Sequence, residues 1–337
     1  MQSKRSIWAA SALPLMLMGT PALAQTEKLG ANLERFAYPF PVTWYEAQSQ
    51  GAPVRMAYMD IAPTAAANGR TVVLLHGKNF CAATWEATAR TLAAQGYRVI
   101  VPDQIGFCKS SKPSGYQYSF HAMAEQTRGL LDQGGVGKVT IVGHSTGGIL
   151  AIRFALLHPE RLDQLMLVNP LGLNDTVAEG VPYTDLGTLR AEEAKTDARS
   201  IRAYQQRTYY SGKWRPDYDR WVAMLAGQYA SDDGDVVRDA QARLSDMILT
   251  QPVAAEIPRI RTPVSLIIGQ KDLTAFRANT APEAIRSRVR TVPKAAEEAV
   301  TRFPDARLVW LPALGHSPQV EDPAAFEAAL LTELARR

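Results

Sequence analysis

The chain has few of the residues on which metal and cofactor sites depend. Its 337 residues include only two cysteines and five histidines, and neither type occurs at the spacing of a metal site. No glycine-rich phosphate loop or dinucleotide-binding fingerprint is present in the sequence. We therefore predict that the protein binds no metal and no cofactor.

A strong net charge and long apolar segments are also missing after the first two dozen residues. The formal net charge is +4, and removal of the two basic residues among residues 1–24 leaves 35 basic against 33 acidic side chains, a charge of +2. This balance argues against a nucleic-acid partner, and no later apolar run reaches the ~20 residues of a membrane-spanning helix. A small-molecule substrate is predicted, and the oligomeric state stays open.

The first 24 residues have the composition of a secretory signal peptide. Lys4 and Arg5 form a basic start, residues 7–18 are uncharged and mostly apolar, and Ala22-Leu-Ala24 provides small residues before a cleavage site. We predict cleavage near Ala24 and a periplasmic or secreted protein.

Eight runs of residues predict the strands of a sheet. Residues 42–47 and 54–61 alternate in polarity around Gly51-Ala-Pro53, which is typical of an antiparallel pair. The six later runs are apolar throughout and alternate with helical stretches, which is typical of parallel strands covered on both faces. They are residues 71–75, 97–101, 139–142, 164–169, 263–269 and 307–311. The prediction is an α/β fold with a doubly wound, mostly parallel, eight-stranded sheet.

Two intervals interrupt this alternation of strands and helices. The interval between residues 169 and 263 is far longer than the dozen or so residues that a crossover needs, is helical in composition and is rich in tyrosine and tryptophan. We predict a helical cap at residues 171–258, seated over the carboxyl ends of the strands, between two core segments at residues 25–170 and 259–337. The second interval, residues 274–304, is rich in arginine and alanine and has no pattern that we can interpret.

The strongest candidate for chemistry is Ser145. It lies in Gly143-x-Ser145-x-Gly147, directly after a buried strand and directly before an apolar helix. This strand–turn–helix context holds a serine hydroxyl out toward a substrate, whereas the five-residue pattern alone would be weak evidence. Ser145 is therefore predicted to be a nucleophile.

A serine nucleophile needs a base and a carboxylate that orients the base. His316 follows the last strand, on a loop that can reach back over the strand ends, and the other four histidines are less well placed. Asp272 directly follows a buried strand at the same rim, and Asp175 is the alternative acid. The order Ser145, Asp272, His316 along the chain is the order expected of α/β-hydrolases.

The tetrahedral intermediate of such a reaction needs two backbone N–H groups that stabilise its oxyanion. One is predicted from Thr146, at the start of the helix that follows the serine. The other is predicted from the loop after residues 71–75, where Lys78 is the first choice and Asn79 the second. Asn79, Phe80 and His144 are predicted to contact the substrate.

From about residue 42 onward, the chain resembles the α/β-hydrolase superfamily, in the branch with His-Gly after the third strand. The motifs that carry this resemblance are His76-Gly77, Pro102-Asp103-x-x-Gly106, Gly143-His-Ser145-Thr-Gly147, and the contexts of Asp272 and His316. A serine nucleophile argues against the dehalogenase and epoxide hydrolase branches, which use aspartate.

One position departs from the pattern of the superfamily. Cys108 stands where Pro-Asp-x-x-Gly-x-Gly-x-Ser usually has its second glycine, which puts the local turn in doubt. Cys81 and Cys108 follow two neighbouring strands, so both a disulfide and a pair of buried thiols stay open.

The resemblance implies acyl transfer through an acyl-enzyme on Ser145, with a small or medium, partly apolar ester or lactone as substrate. Two alternatives remain open from the sequence. One keeps the fold and acts on another bond, as in relatives that cleave peptides at an N-terminal proline, carbon–carbon bonds or cyanohydrins. The other is a non-catalytic ligand receptor.

Overall fold

The computed structural model describes residues 26–336, so the predicted signal peptide at residues 1–24 lies outside the described residues. The described residues form eight strands in one sheet. These are β1 Val42–Ser49, β2 Ala52–Ile61, β3 Thr71–Leu75, β4 Arg98–Pro102, β5 Val139–His144, β6 Leu162–Val168, β7 Val264–Gly269 and β8 Ala306–Leu311.

The strand order across the sheet is β1-β2-β4-β3-β5-β6-β7-β8. The β1–β2 and β2–β4 pairs are antiparallel, and all the later neighbours are parallel. The predicted fold class, a mostly parallel eight-stranded sheet, is confirmed.

Helices connect the parallel strands and cover the sheet. Three of them lie between consecutive strands from β3 to β6: α1 Glu86–Ala94, α2 Phe120–Gln133 and α3 Thr146–Leu157. Between β6 and β7 lie α4 Leu186–Glu193, α5 Ala198–Tyr204, the π-helical turn Gln205–Tyr209, α6 Asp219–Tyr229 and α7 Gly234–Thr250. After β7 come α8 Glu283–Arg286, α9 Val292–Ala299, α10 Pro318–Glu321 and α11 Pro323–Leu334. Among residues 26–336, no helix combines the length and the apolar character that crossing a membrane would require.

The apolar strands bury side chains on both faces of the sheet because neighbouring residues of a strand point in opposite directions. In β3, Val73 and Leu75 belong to a core that includes residues of α2 and α3. Val72 and Leu74 belong to a second core, which includes residues of α1 and α11. The strand therefore has no solvent-facing side and reads as a continuous apolar run.

A disulfide between Cys81 and Cys108 joins the loops that follow β3 and β4, with the two Cα atoms 5.8 Å apart. Asp103 reinforces the same junction, because its buried carboxylate accepts hydrogen bonds from the backbone N–H of Ala82 (2.7 Å) and of Lys109 (3.1 Å). Cys108 has a φ of 47°, a left-handed conformation that glycine adopts most readily. Cys108 therefore adopts a backbone conformation that suits glycine, and it also forms a disulfide that glycine could not form.

Candidate active site

Ser145 occupies the sharp turn between β5 and α3. Its φ and ψ are 55° and −118°, a strained combination for a residue with a side chain. Its backbone is held on both sides: Ser145 N–H donates to the Val168 carbonyl at 3.1 Å, and the Ser145 carbonyl accepts from Gly148 N–H at 2.9 Å. The turn therefore fixes the hydroxyl at the carboxyl edge of the sheet.

Close backbone approaches explain the glycines on either side of Ser145. A Cβ atom added at Gly143 would lie 2.4 Å from the Gly147 carbonyl oxygen, and one added at Gly147 would lie 2.5 Å from the Leu75 carbonyl oxygen. Larger residues at these positions would push α3 away from β3 and β5. The pattern Gly-x-Ser-x-Gly is thus a packing requirement of the turn.

Three side chains form one line of hydrogen bonds at this edge. His316 Nε2 lies 2.9 Å from Ser145 Oγ, and His316 Nδ1 lies 2.7 Å from Asp272 Oδ2. Ser145 is 6% exposed, and His316 and Asp272 are each 1% exposed. In this arrangement the imidazole can take the hydroxyl proton while the carboxylate stabilises the resulting imidazolium.

Asn169, at the end of β6, fixes the carboxylate. Its side-chain N–H donates to Asp272 Oδ2 at 2.8 Å, and its side-chain oxygen accepts from Gly269 N–H at 2.9 Å. The other oxygen, Oδ1, accepts from Thr274 N–H at 2.7 Å. Asp175, the alternative acid, instead accepts from two backbone N–H groups of its own turn. The geometry therefore places Asp272, not Asp175, beside His316.

The loop after β3 passes directly over Ser145. A Cβ atom added at Gly77 would lie 2.9 Å from Ser145 Cβ. The backbone of the next residue, Lys78, therefore lies close to Ser145. The backbone N–H groups of Lys78 and Thr146 donate to no carbonyl of the turns and loops between residues 26 and 336. These two N–H groups belong to residues next to Gly77 and to Ser145, without an acceptor in those turns and loops.

Tyr209 covers this site from the π-helical turn. Its ring stacks on His316 with the centroids 5.2 Å apart, and its hydroxyl accepts a hydrogen bond from the Asn79 side chain at 2.9 Å. Burial raises the pKa of Tyr209 well above its usual value, so the phenol stays neutral. Tyr209 thereby ties the loop after β3 to the base.

Phe80 and His144 are buried among aromatic rings beside the candidate site. Both side chains are 1% exposed. Phe80 packs between the rings of His144 and Tyr209, and His144 Nε2 donates to the His316 carbonyl at 2.8 Å. Their contact with a substrate stays a prediction, whereas Asn79 lines a cavity.

That cavity has a volume of about 800 Å³. Lys78, Asn79 and Thr274 are part of its lining, whereas Ser145, Asp272 and His316 are not. Its walls come from the loop after β3, from α4 and α5, and from the loop after β7. Polar residues such as Asn79 and Thr274 lie near the candidate nucleophile and acid, and Ile201, Leu225 and Phe276 supply apolar surface. A partly apolar organic molecule fits this lining.

Two buried histidines support the site in the neutral form. His76 Nε2 accepts from Gln104 N–H at 3.1 Å, which links the loops after β3 and β4. Burial lowers the pKa of His76. Burial, and then the proximity of His316, holds the pKa of His144 well below its usual value. Both residues therefore resist protonation in the folded protein.

We expect the free energy of unfolding to decrease as the pH falls below about 6.5, the usual pKa of histidine in an unfolded chain. Below that pH the unfolded state binds protons that the folded state rejects, at a cost of about 1.4 kcal/mol per pH unit for each such histidine. Urea denaturation of the wild type at a series of pH values between about 5 and 7 measures the slope.

His144→Gln keeps a side-chain N–H for the His316 carbonyl but removes the titration, so its slope should be smaller by about 1.4 kcal/mol per pH unit. His121→Gln, at an exposed position, is the control and should keep the wild-type slope. Identical slopes for wild type and His144→Gln would contradict the expectation.

A hydrogen-bonded serine, histidine and aspartate at the carboxyl edge of a parallel sheet, in the chain order Ser145, Asp272, His316, are typical of the class of α/β hydrolases. Comparison with known proteins agrees, because residues 70–323 match the family model of the alpha/beta hydrolase fold. The chain belongs to the α/β hydrolase fold family.

Relatives with known structures or names are similar over most of their length. A crystal structure of a probable hydrolytic enzyme from Pseudomonas aeruginosa PAO1 is 48% identical and superposes with a TM-score of 0.90, covering 92% of this chain and 99% of that one. A 2-hydroxy-6-oxo-6-phenylhexa-2,4-dienoate hydrolase of Burkholderia cepacia is 28% identical over 80% of this chain and 89% of its own length. An esterase from Exiguobacterium antarcticum shares the fold, with a TM-score of 0.67 and 20% identity over 87% of this chain and all of that one.

Proposed function

We propose that the protein is a serine hydrolase that cleaves carboxylic esters or lactones through an acyl-enzyme on Ser145. The observation that carries this proposal is the line of hydrogen bonds from Ser145 through His316 to Asp272, at 2.9 and 2.7 Å. In the first step the Ser145 oxygen attacks the carbonyl carbon of the substrate while His316 Nε2 takes the hydroxyl proton. The alcohol then leaves with that proton, and water hydrolyses the acyl-enzyme.

The backbone N–H groups of Lys78 and Thr146 are proposed to stabilise the oxyanion of both tetrahedral intermediates. Neither group donates to a turn or loop carbonyl within residues 26–336, and Thr146 begins α3, where the helix dipole also favours negative charge. Loss of one such donor typically lowers kcat by about 10²–10³. Stabilisation of the oxyanion is therefore proposed to supply a large share of the rate enhancement.

The segment between β6 and β7 is proposed to act as a cap that selects the substrate. It places Tyr209 on His316 and contributes one wall of the 800 Å³ cavity. A cavity of this size accepts a small or medium acyl group, and its mixture of apolar and polar side chains suits a partly apolar one.

Hydrolysis rates across p-nitrophenyl esters and lactones of graded length test the proposal. Short and medium acyl chains should be cleaved well above the Ser145→Ala blank, and long chains more slowly because they exceed the cavity. The 2-hydroxy-6-oxo-6-phenylhexa-2,4-dienoate substrate belongs in the same panel, since a 28% identical relative is named for it. Cleavage of that compound alone would overturn ester hydrolysis in favour of carbon–carbon bond cleavage.

We also propose that residues 1–24 direct export and that the mature protein works in the periplasm or outside the cell. The composition of that segment and the disulfide between Cys81 and Cys108 support this, because structural disulfides persist in oxidising compartments.

A further inference from the structure

Two adjacent carboxylates at the end of α4 fasten that helix to loops on either side of the site. Glu193 Oε1 lies 2.9 Å from Lys78 Nζ, on the loop after β3. Glu192 forms two hydrogen bonds, of 2.8 and 3.0 Å, with the guanidinium of Arg277, on the loop after β7. Only the first pair touches the loop that lies against Ser145.

The Glu193 pair is the more buried of the two. The side chains of Lys78 and Glu193 are 15% and 12% exposed, whereas those of Arg277 and Glu192 are 12% and 46% exposed. The second carboxylate oxygen of Glu193 accepts from the Tyr229 hydroxyl at 2.6 Å, so α6 also holds it in place. Removing one charge from a partly buried, hydrogen-bonded pair leaves the other charge partly desolvated and unpaired, which is unfavourable.

We propose that Glu193 is a positioning residue for the reaction: through the Lys78 side chain, it fixes the backbone N–H of Lys78 toward the oxyanion. This inference rests on the proposed function. An oxyanion donor is effective only within about 2.7–3.1 Å of the oxyanion, so a small displacement of the loop weakens it. Without its carboxylate partner, the Lys78 ammonium would no longer anchor the loop after β3 to α4.

The effect should fall on turnover and not on substrate affinity. The oxyanion exists only during the reaction, and an interaction made only then lowers kcat while KM stays unchanged. The hydrogen bond between Asn79 and Tyr209, at 2.9 Å, still restrains the other side of the loop. We therefore expect a loss of about ten-fold, smaller than the 10²–10³ that removal of a donor costs.

The experiment compares Glu193→Gln with Arg190→Gln, a control on the same helix. Arg190 forms an exposed ion pair with Asp239 and does not line the cavity. For the p-nitrophenyl ester that the wild type cleaves fastest, Glu193→Gln should lower kcat about ten-fold, with KM within about two-fold of the wild type. Binding of a trifluoromethyl ketone, which forms a charged tetrahedral adduct with the serine, should weaken by the same factor as kcat. Arg190→Gln should leave both quantities within about two-fold, because it removes only an exposed ion pair.

Lys78→Met provides a second route, because it removes the ammonium and keeps the backbone N–H. It should reproduce the loss in kcat, and the double variant Lys78→Met/Glu193→Gln should lose no more than either single variant, since the two residues act as one unit. If Glu193→Gln does not fold, Lys78→Met carries the test with the same expected values.

Three results would overturn the inference while the enzyme stays active. They are a rise in KM with unchanged kcat, equal losses in Arg190→Gln and Glu193→Gln, and full additivity in the double variant. A wild-type protein that neither hydrolyses any ester nor reacts with a fluorophosphonate would overturn the proposed function, and this inference with it.

Discussion

Replacing Ser145 by alanine should abolish ester hydrolysis and fluorophosphonate labelling while the fold persists. In serine hydrolases, loss of the nucleophile lowers kcat by about 10⁶, because the histidine and the carboxylate have no role without it. The strained φ of 55° at this position is borne by alanine as it is by serine, so the melting temperature should change little. Labelling detected by intact-protein mass spectrometry, together with rates for the best ester, measures the effect.

Ser317→Ala is the matched control for this substitution. Ser317 is fully buried directly after His316, and its hydroxyl has no hydrogen-bond partner among the side chains and backbone of residues 26–336. This variant should label like the wild type. A Ser145→Ala protein that still labels at one site would place the nucleophile elsewhere and remove the basis of the proposed mechanism.

Replacing Asp272 by asparagine should lower kcat by about 10⁴, the loss expected when the histidine is no longer held in the productive tautomer. Asparagine also conflicts with its surroundings. Oδ1 of Asp272 accepts from Thr274 N–H, and Oδ2 accepts from both Asn169 and His316. An amide in that place must turn its NH₂ group toward at least one of these donors, which leaves buried groups unpaired.

Asp175→Asn provides the matched comparison, because Asp175 was the alternative acid in the sequence and serves only its own turn in the structure. Rates at saturating ester, with circular dichroism as a check on folding, distinguish the two positions. Wild-type turnover in Asp272→Asn and a large loss in Asp175→Asn would reverse the assignment.

The strands could be predicted from the sequence because the sheet is buried on both faces. β3 was predicted at its observed residues, 71–75, and β7 and β8 within one residue of theirs. The short helices α8 and α9 were harder to predict. Helix α8 has only four residues and buries none of them. The buried residues of α9 do follow a helical period, but three of the four are alanines, which give a weak apolar signal. The sequence was sufficient to predict elements whose buried side chains are large and apolar, and insufficient to predict elements whose buried side chains are few or small.

Ser145, Asp272 and His316 could be proposed because each follows a strand, and the carboxyl ends of parallel strands share an edge. Asn169 directly follows β6 in the same way, so its position at that edge could also have been found from the sequence. Tyr209 and Glu193 could not be singled out, since their importance arises from contacts with Asn79, His316 and Lys78 that only the folded chain creates. The positions of the three reacting side chains could be predicted from the topology of the sheet. The residues that hold them in place are determined by side-chain packing, which the sequence alone does not show.

The covalent link between Cys81 and Cys108 has a practical consequence for how the protein is prepared. A cross-link that closes a loop of this length, a sequence separation of 27, is worth roughly 3–4 kcal/mol of stability. Material expressed in a reducing cytosol, or purified with excess thiol, would lack that contribution and would carry two free sulfhydryls at buried positions after β3 and β4. Recombinant production is therefore best directed to an oxidising host compartment, with reductant omitted from every buffer.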